Sequence, residues 1–189
     1  HVVCRRQRQM CIRDRRYTHG EAWLKLAQMK ERRGKLIEAE DAYVIALELD
    51  SNHGFAYLGL GRVQSKLERV KEALKSIEKS IALLKEDYRP YMVRGDIYYS
   101  IGDYERADAK GYSKAVNIRP DMKNGWRKLA KVYRSQDKKE LLIMALSRIL
   151  EIDSEDESAL WERAECHFEE KKLGDSMGAV SYTHLRAHE

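Results

Sequence analysis

The amino-acid sequence predicts an all-α solenoid of antiparallel helix pairs, and three observations lead there. A large aromatic or apolar residue returns at a near-constant period: Trp23, Tyr57, Tyr91, Trp126 and Leu160 are separated by 34, 34, 35 and 34 positions. A second series, Ala39, Ala73, Ala107, Leu142 and Ser176, keeps the same step. Within one period, apolar residues recur at three-four spacing on both sides of a break, which reads as helix, turn, helix. A unit of this kind cannot bury its own apolar face and does so by stacking on its neighbours.

In the first unit, 20–53, Ala22, Trp23, Leu26, Ala27 and Lys30 mark one helix, Gly34 ends it, and Ala39, Ala42, Tyr43, Ala46 and Leu47 mark the next. Small residues at Ala27, Ala39 and Ala46 allow close helix approach, and Trp23, Leu26, Tyr43 and Leu47 supply the bulk. The second unit, 54–87, keeps Tyr57, Leu60, Gly61, Ala73, Ile77 and Ile81. The third, 88–122, keeps Tyr91, Gly95 and Tyr98, a Gly102-Asp103-Tyr104 turn, then Ala107, Tyr112, Ala115 and Pro120. Trp126, Leu129, Ala130, Tyr133, Leu146 and Leu150 carry the fourth, 123–156, and a fifth is partial, 157–179. Between Ala107 and Ala115 there are eight steps where the first unit, from Ala39 to Ala46, has seven. One extra residue within Asp108–Gly111 predicts a local irregularity such as a π-bulge, eased by Gly111.

These units resemble tetratricopeptide repeats, in which an aromatic is followed by Leu-Gly or Leu-Ala, Tyr, a Gly-rich turn, Ala, a bulky residue, Ala and Pro. The resemblance covers residues 20 to about 176. It implies a right-handed superhelical solenoid of about four and a half repeats, whose first helices line a concave groove.

The two ends carry a different signal. If Gln9-Met10-Cys11-Ile12-Arg13-Asp14 is encoded CAG ATG TGT ATA AGA GAC, the reverse complement encodes Val180-Ser181-Tyr182-Thr183-His184-Leu185. Antisense copies at opposite ends of one chain point to translated sequencing adapter, so residues 1–15 and 180–189 are expected to be non-native tails around a repeat array at 16–179. Residues 1–14 carry Arg5, Arg6, Arg8 and Arg13 against Asp14, so without them the formal net charge of +5 falls to about +2. Cys4 and Cys11 drop out with the same tail and leave Cys166, which excludes a disulfide framework and a Cys-rich metal site. A single thiol fits a reducing compartment, so a cytoplasmic location is expected. No apolar run approaches a membrane span.

No catalytic constellation, cofactor motif or metal-ligand set is legible, and the chain reads as non-enzymatic. Gly59-Leu60-Gly61 lacks the third glycine and preceding strand of a dinucleotide loop and falls inside a helix. Adjacent Cys166 and His167 point about 100° apart on a helix and do not share a metal; His167, in the register of Tyr98 and Tyr133, is expected in the core. Acidic residues at 155–157 complement a helix start.

Function is therefore expected on the surface, as a scaffold that binds a peptide or partner helix in the groove. By register, the residues facing it include Leu24, Gln28 and Arg32, then Leu58, Arg62 and Lys66, then Arg89, Met92, Val93 and Tyr99. Arg127, Lys128, Lys131 and Arg134 follow as a basic stripe, and Trp161 lies beyond. Arg62, Arg89, Met92, Tyr99 and Trp161 with the basic stripe are the candidate peptide-binding residues, the cations pairing with acidic groups of the partner. The plain alternative for the stripe is a solvated helix face. The Lys and Asn pattern of a chaperone-tail clamp is absent. Two further readings stand beside the scaffold: the recruiting arm of a larger enzyme whose catalytic domain lies outside the fragment, and a single-stranded RNA binder. The small native charge and the lack of recurring base-reading positions weigh against RNA. A fifth unit cut off after its first helix predicts fraying and self-association at that end.

Overall fold

The computed structural model describes residues 19–168, and all regular structure among them is helical. The chain divides into two compact units after Ile118. The first holds α1 (19–32), α2 (Leu36–Leu49), α3 (Gly54–Lys66), α4 (Val70–Leu83), α5 (Tyr88–Ser100) and α6 (104–118). In the second are α7 (Lys123–Ser135), α8 (Lys139–Ile152) and α9 (157–168). Both expected tails and the missing second helix of the fifth unit lie outside the described residues.

The same turn joins the two helices in each of the four pairs among the described residues. Gly34, Glu68, Gly102 and Asp137 all have positive φ, at 76°, 62°, 77° and 54°. Each is followed by an amide that reaches back five residues: Lys35 to Lys30, Arg69 to Gln64, Asp103 to Tyr98 and Lys138 to Tyr133. This is the Schellman ending, which satisfies the last carbonyls of a helix and requires a left-handed residue. Glycine takes that conformation without cost; Glu68 and Asp137 take it at a cost of about 1–2 kcal/mol. Only the two glycine turns were visible in the sequence.

In the first unit the core is built as the spacing predicts, from small residues against large. Ala27, Ala39, Ala42, Tyr43, Ala46, Ala56, Leu60 and Val63 form one buried cluster, with Trp23 and Leu47 packed on it. Leu58, Ala73, Ile77 and Ile97 form the next. Gly61 exists to admit Ile77, since a Cβ there would lie 2.6 Å from the Ile77 Cδ1. Leu24 and Leu58, expected to face the groove, are buried, whereas Leu26, expected in the core, is 36% exposed. The phase of these helices is as expected, since Trp23, Ala27 and Leu60 pack in the cluster, and only residues at the edge of the apolar stripe change sides.

The extra residue of the third pair is absorbed inside α6. Residues Ala107–Tyr112 form a π-helical turn between α-helical segments. Its cause is packing as well as count: a Cβ on Gly111 would sit 2.4 Å from the Gly95 Cα, so α5 and α6 touch backbone to backbone. The widened turn loosens its own carbonyl ladder, and the Arg94 guanidinium covers the Lys110 carbonyl, with Nε at 2.9 Å. Beyond it the Tyr112 ring lies where a side chain on Gly95 would be, and its hydroxyl donates to Asp96 at 2.6 Å. Burial and the Asp96 carboxylate both push that phenol well above its ordinary pKa.

In the second unit Leu129, Val132, Tyr133, Leu142, Ala145, Leu146 and Ile149 are buried between α7 and α8. The α9 helix sets Ala159 and Cys166 inward. His167, expected in the core, is exposed; Cys166 takes the inward position, in the register of Val132.

Candidate interaction surface

Within each unit the first helices of neighbouring pairs lie side by side, and residues about one period apart become lateral neighbours. This turns distant sequence positions into ion pairs. In the first unit they converge on Glu31, near the end of α1. Its carboxylate accepts from Arg62 Nε at 2.7 Å and Nη2 at 2.6 Å, from Lys66 Nζ at 3.0 Å, and from the Tyr43 hydroxyl at 3.1 Å. Glu31 is itself buried, at 8% exposure, while Arg62 and Lys66 keep about half their side-chain surface in solvent. Burial works to raise the Glu31 pKa, but the hydrogen bonds and charges of Arg62 and Lys66 outweigh it and hold it below the ordinary value. Burial and the same carboxylate push Tyr43 up to about 12. Around this group opens a cleft of about 530 Å³ lined by Gln28, Glu31, Arg32, Arg62 and Lys66. Between α2 and the cap of α4, Glu40 and Arg69 repeat the device at 2.9 Å.

In the second unit the carboxylate comes from the other end of a helix. Asp156 caps α9 by accepting from the Ala159 amide at 3.2 Å, and it also receives Lys123 at 3.1 Å and Arg127. Lys123 bridges to Asp153 at 2.6 Å, and Arg134 reaches Glu162 at 2.7 Å. Burial opposes ionisation of Asp156, but Lys123, the Ala159 amide and Arg127 hold its pKa low. A smaller hollow of about 240 Å³ is lined by residues including Tyr133, Arg134, Asp137, Lys138, Glu165 and Cys166.

The candidate binding residues are distributed unevenly over these surfaces. Arg62 sits on Glu31, and of the basic stripe Arg127 and Arg134 are engaged with Asp156 and Glu162. Lys131 is exposed and Lys128 half-buried. Arg89 pairs with Asp87, the cap of its own helix, and stacks 4.5 Å over the Phe55 ring. Met92, expected as an exposed anchor, is only 8% exposed and packs inside the unit. Tyr99 is half-buried against Tyr104, with ring centroids 5.3 Å apart. Trp161 stands 75% exposed on α9. Lys66 and Arg32 lie on this wall as the repeat register predicts, but Glu31, the group that organises it, is outside that prediction. The available signal was opposite charge at a separation near one period: the pairs Glu31 to Arg62 and Lys66, Glu40 to Arg69, Lys123 to Asp153 and Arg127 to Asp156 span 31, 35, 29, 30 and 29 positions.

Among the described residues, no group of His, Cys, Asp or Glu is placed to hold a metal ion, and no helix is long and apolar enough to cross a membrane. A tetratricopeptide repeat family model matches residues 56–83 and 88–122. A TPR repeat-containing protein of Methanocaldococcus jannaschii is 29% identical over 119 residues, covering 60% of this chain and 21% of the relative, so the chain spans about a fifth of that protein's length. Among solved structures, a MamA protein superposes with a TM-score of 0.71 at 22% identity, covering 87% of this chain and 88% of that one. Pseudomonas aeruginosa pilF gives 0.71 at 21% identity, covering 83% and 71%. YrrB, described as a TPR protein with an unusual peptide-binding site, gives 0.64 at 19% identity, covering 79% and 76%. At these identities the likeness is one of fold.

Proposed function

We propose that this chain, which carries tetratricopeptide repeats, is a non-enzymatic protein-interaction module that holds a peptide or a partner helix on the exposed side of its first helices. The observation that carries the reading is the contrast between the two sides of those helices. One side is packed with apolar residues, while the other presents aromatic side chains and long cations, of which Arg62, Arg89, Arg127 and Arg134 are held in place by carboxylates. Preorganised arginines and exposed aromatics are the residue types that dominate protein interfaces. In the second unit the contacts are Lys128, Lys131 and Trp161 with the outer edges of Arg127 and Arg134; in the first they are Arg62, Arg89 and Tyr99, Met92 acting from below as packing. Acidic partner groups suit both walls. The lone reduced thiol among the described residues, Cys166, fits a cytoplasmic setting.

The test is selection of phage-displayed random peptides on the full chain, repeated on the K128E, K131E, R134E triple variant. Enrichment on the parent and its loss on the variant, at unchanged helical circular dichroism, is the expected outcome. Equal enrichment on both rejects the residue assignment, and none on either rejects the peptide surface. A second reading, the recruiting arm of a larger enzyme, is favoured by the relative's greater length, of which this chain matches 21%. An enzymatic domain in the complete reading frame would support it.

A further inference from the structure

Positive charge is in excess in the α1–α3 cleft of the first unit. The α1–α3 cleft is lined by three cations, Arg32, Arg62 and Lys66, against one carboxylate, Glu31, with the amide of Gln28 beside them. Both Glu31 oxygens already accept, Oε1 from Arg62 and Lys66 and Oε2 from Arg62 and Tyr43, so a second anion entering the cleft meets N–H groups rather than a bare carboxylate. Arg62 spends Nε and one proton of Nη2 on Glu31 and keeps its Nη1 edge; Lys66 keeps two of its three protons. The side chains of Arg32 and Gln28 are exposed and make no hydrogen bond or ion pair among the described residues. The donors thus converge on an open space, with Arg62 fixed in orientation by a buried group.

We propose that this cleft seats a doubly charged oxyanion, the phosphate monoester of a bound peptide, with Arg32, Arg62, Lys66 and Gln28 as its donors. The surplus of two positive charges matches a dianion better than a single carboxylate, and guanidinium forks suit phosphate geometry. This rests on the reading of the first-helix side as the binding surface and names the chemistry of one subsite on it.

Inorganic phosphate and acetate are titrated separately into the full chain while the side-chain Nε–Hε resonances of Arg32 and Arg62 are followed by NMR. Saturable shifts with phosphate, at lower concentration than with acetate, are expected. R32A and K66M, which alter exposed groups, should each weaken phosphate binding about tenfold through loss of a charge-assisted hydrogen bond. K75M, at an exposed position on α4 outside the cleft, should leave it unchanged. Absence of saturation, shifts unaffected by R32A and K66M, or acetate binding at least as tightly as phosphate overturns the proposal. If displayed peptides bind while phosphate moves neither arginine, the oxyanion seat fails and the peptide surface stands; if phosphate binds and no peptide does, the seat stands alone.

Discussion

The first-helix walls of the two units solve one electrostatic problem from opposite ends. In the first unit a carboxylate in the last turn of α1, Glu31, is buried beneath a tyrosine hydroxyl and two cations from α3. In the second, the carboxylate is Asp156, which caps the start of α9 and collects two cations from α7. Asp156 is supported by a backbone amide and by the positive end of its own helix. Glu31 lies near the negative end of its helix and depends on its partners. Cations and anions also balance differently: Lys123, Arg127 and Arg134 have Asp153, Asp156 and Glu162, whereas the first unit's cleft sets Arg32, Arg62 and Lys66 against Glu31 alone, which pairs with the last two. Matched charge builds a strut between helices, and unmatched charge leaves something to offer a ligand.

The comparison can be broken most severely from inside the first unit. Gly111→Ala drives a Cβ into the α5 backbone, which does not yield as a side chain would, and should destabilise the protein by about 3 kcal/mol. Urea unfolding reads the loss, and hydrogen exchange should place it in α5 and α6 while α7 and α8 keep their protection. Glu31→Gln comes next, at about 2 kcal/mol, less than for a fully buried pair because Arg62 and Lys66 are half in solvent. Asp156→Asn keeps a capping side chain and should cost less; an equal or larger loss would mean that the two carboxylates are equivalent. Glu68→Gly and Asp137→Gly, one in each unit, should each stabilise by about 1 kcal/mol by relieving the left-handed turn. The smallest effect is on pH dependence. The Glu31 carboxyl is held below its ordinary pKa in the folded chain, so its contribution is complete above the ordinary carboxylate range and is lost as pH falls through the lowered folded value. Acid titration of the melting temperature should therefore be shallower in the Glu31→Gln variant than in the parent.

Much of the fold was legible because repetition samples the same environment several times. The positions of Trp23, Tyr57 and Tyr91 fix the phase of the helices, and a one-residue surplus between Ala107 and Ala115 located the π turn before any coordinate. What periodicity cannot supply is the edge of the buried stripe. Leu24, Leu58 and Met92 lie within a single helical step of the boundary, where a small rotation separates core from solvent, and all three turned inward. The turns were half legible, since Gly34 and Gly102 announce a left-handed residue while Glu68 and Asp137 adopt it under tertiary constraint. The surface was least legible. A run such as Arg127, Lys128, Lys131 and Arg134 reads as free charge until the carboxylates one period away are laid beside it.

The π turn in α6 carries a lesson about length and phase. Because the surplus residue is swallowed mid-helix, where Gly111 meets Gly95, the helix runs on through Ser113–Ile118 with Ala115 and Val116 still buried. A strict 34-residue template laid over this protein would rotate every later assignment by a third of a turn, and a mutagenesis scan planned on it would strike the wrong faces from Tyr112 onward.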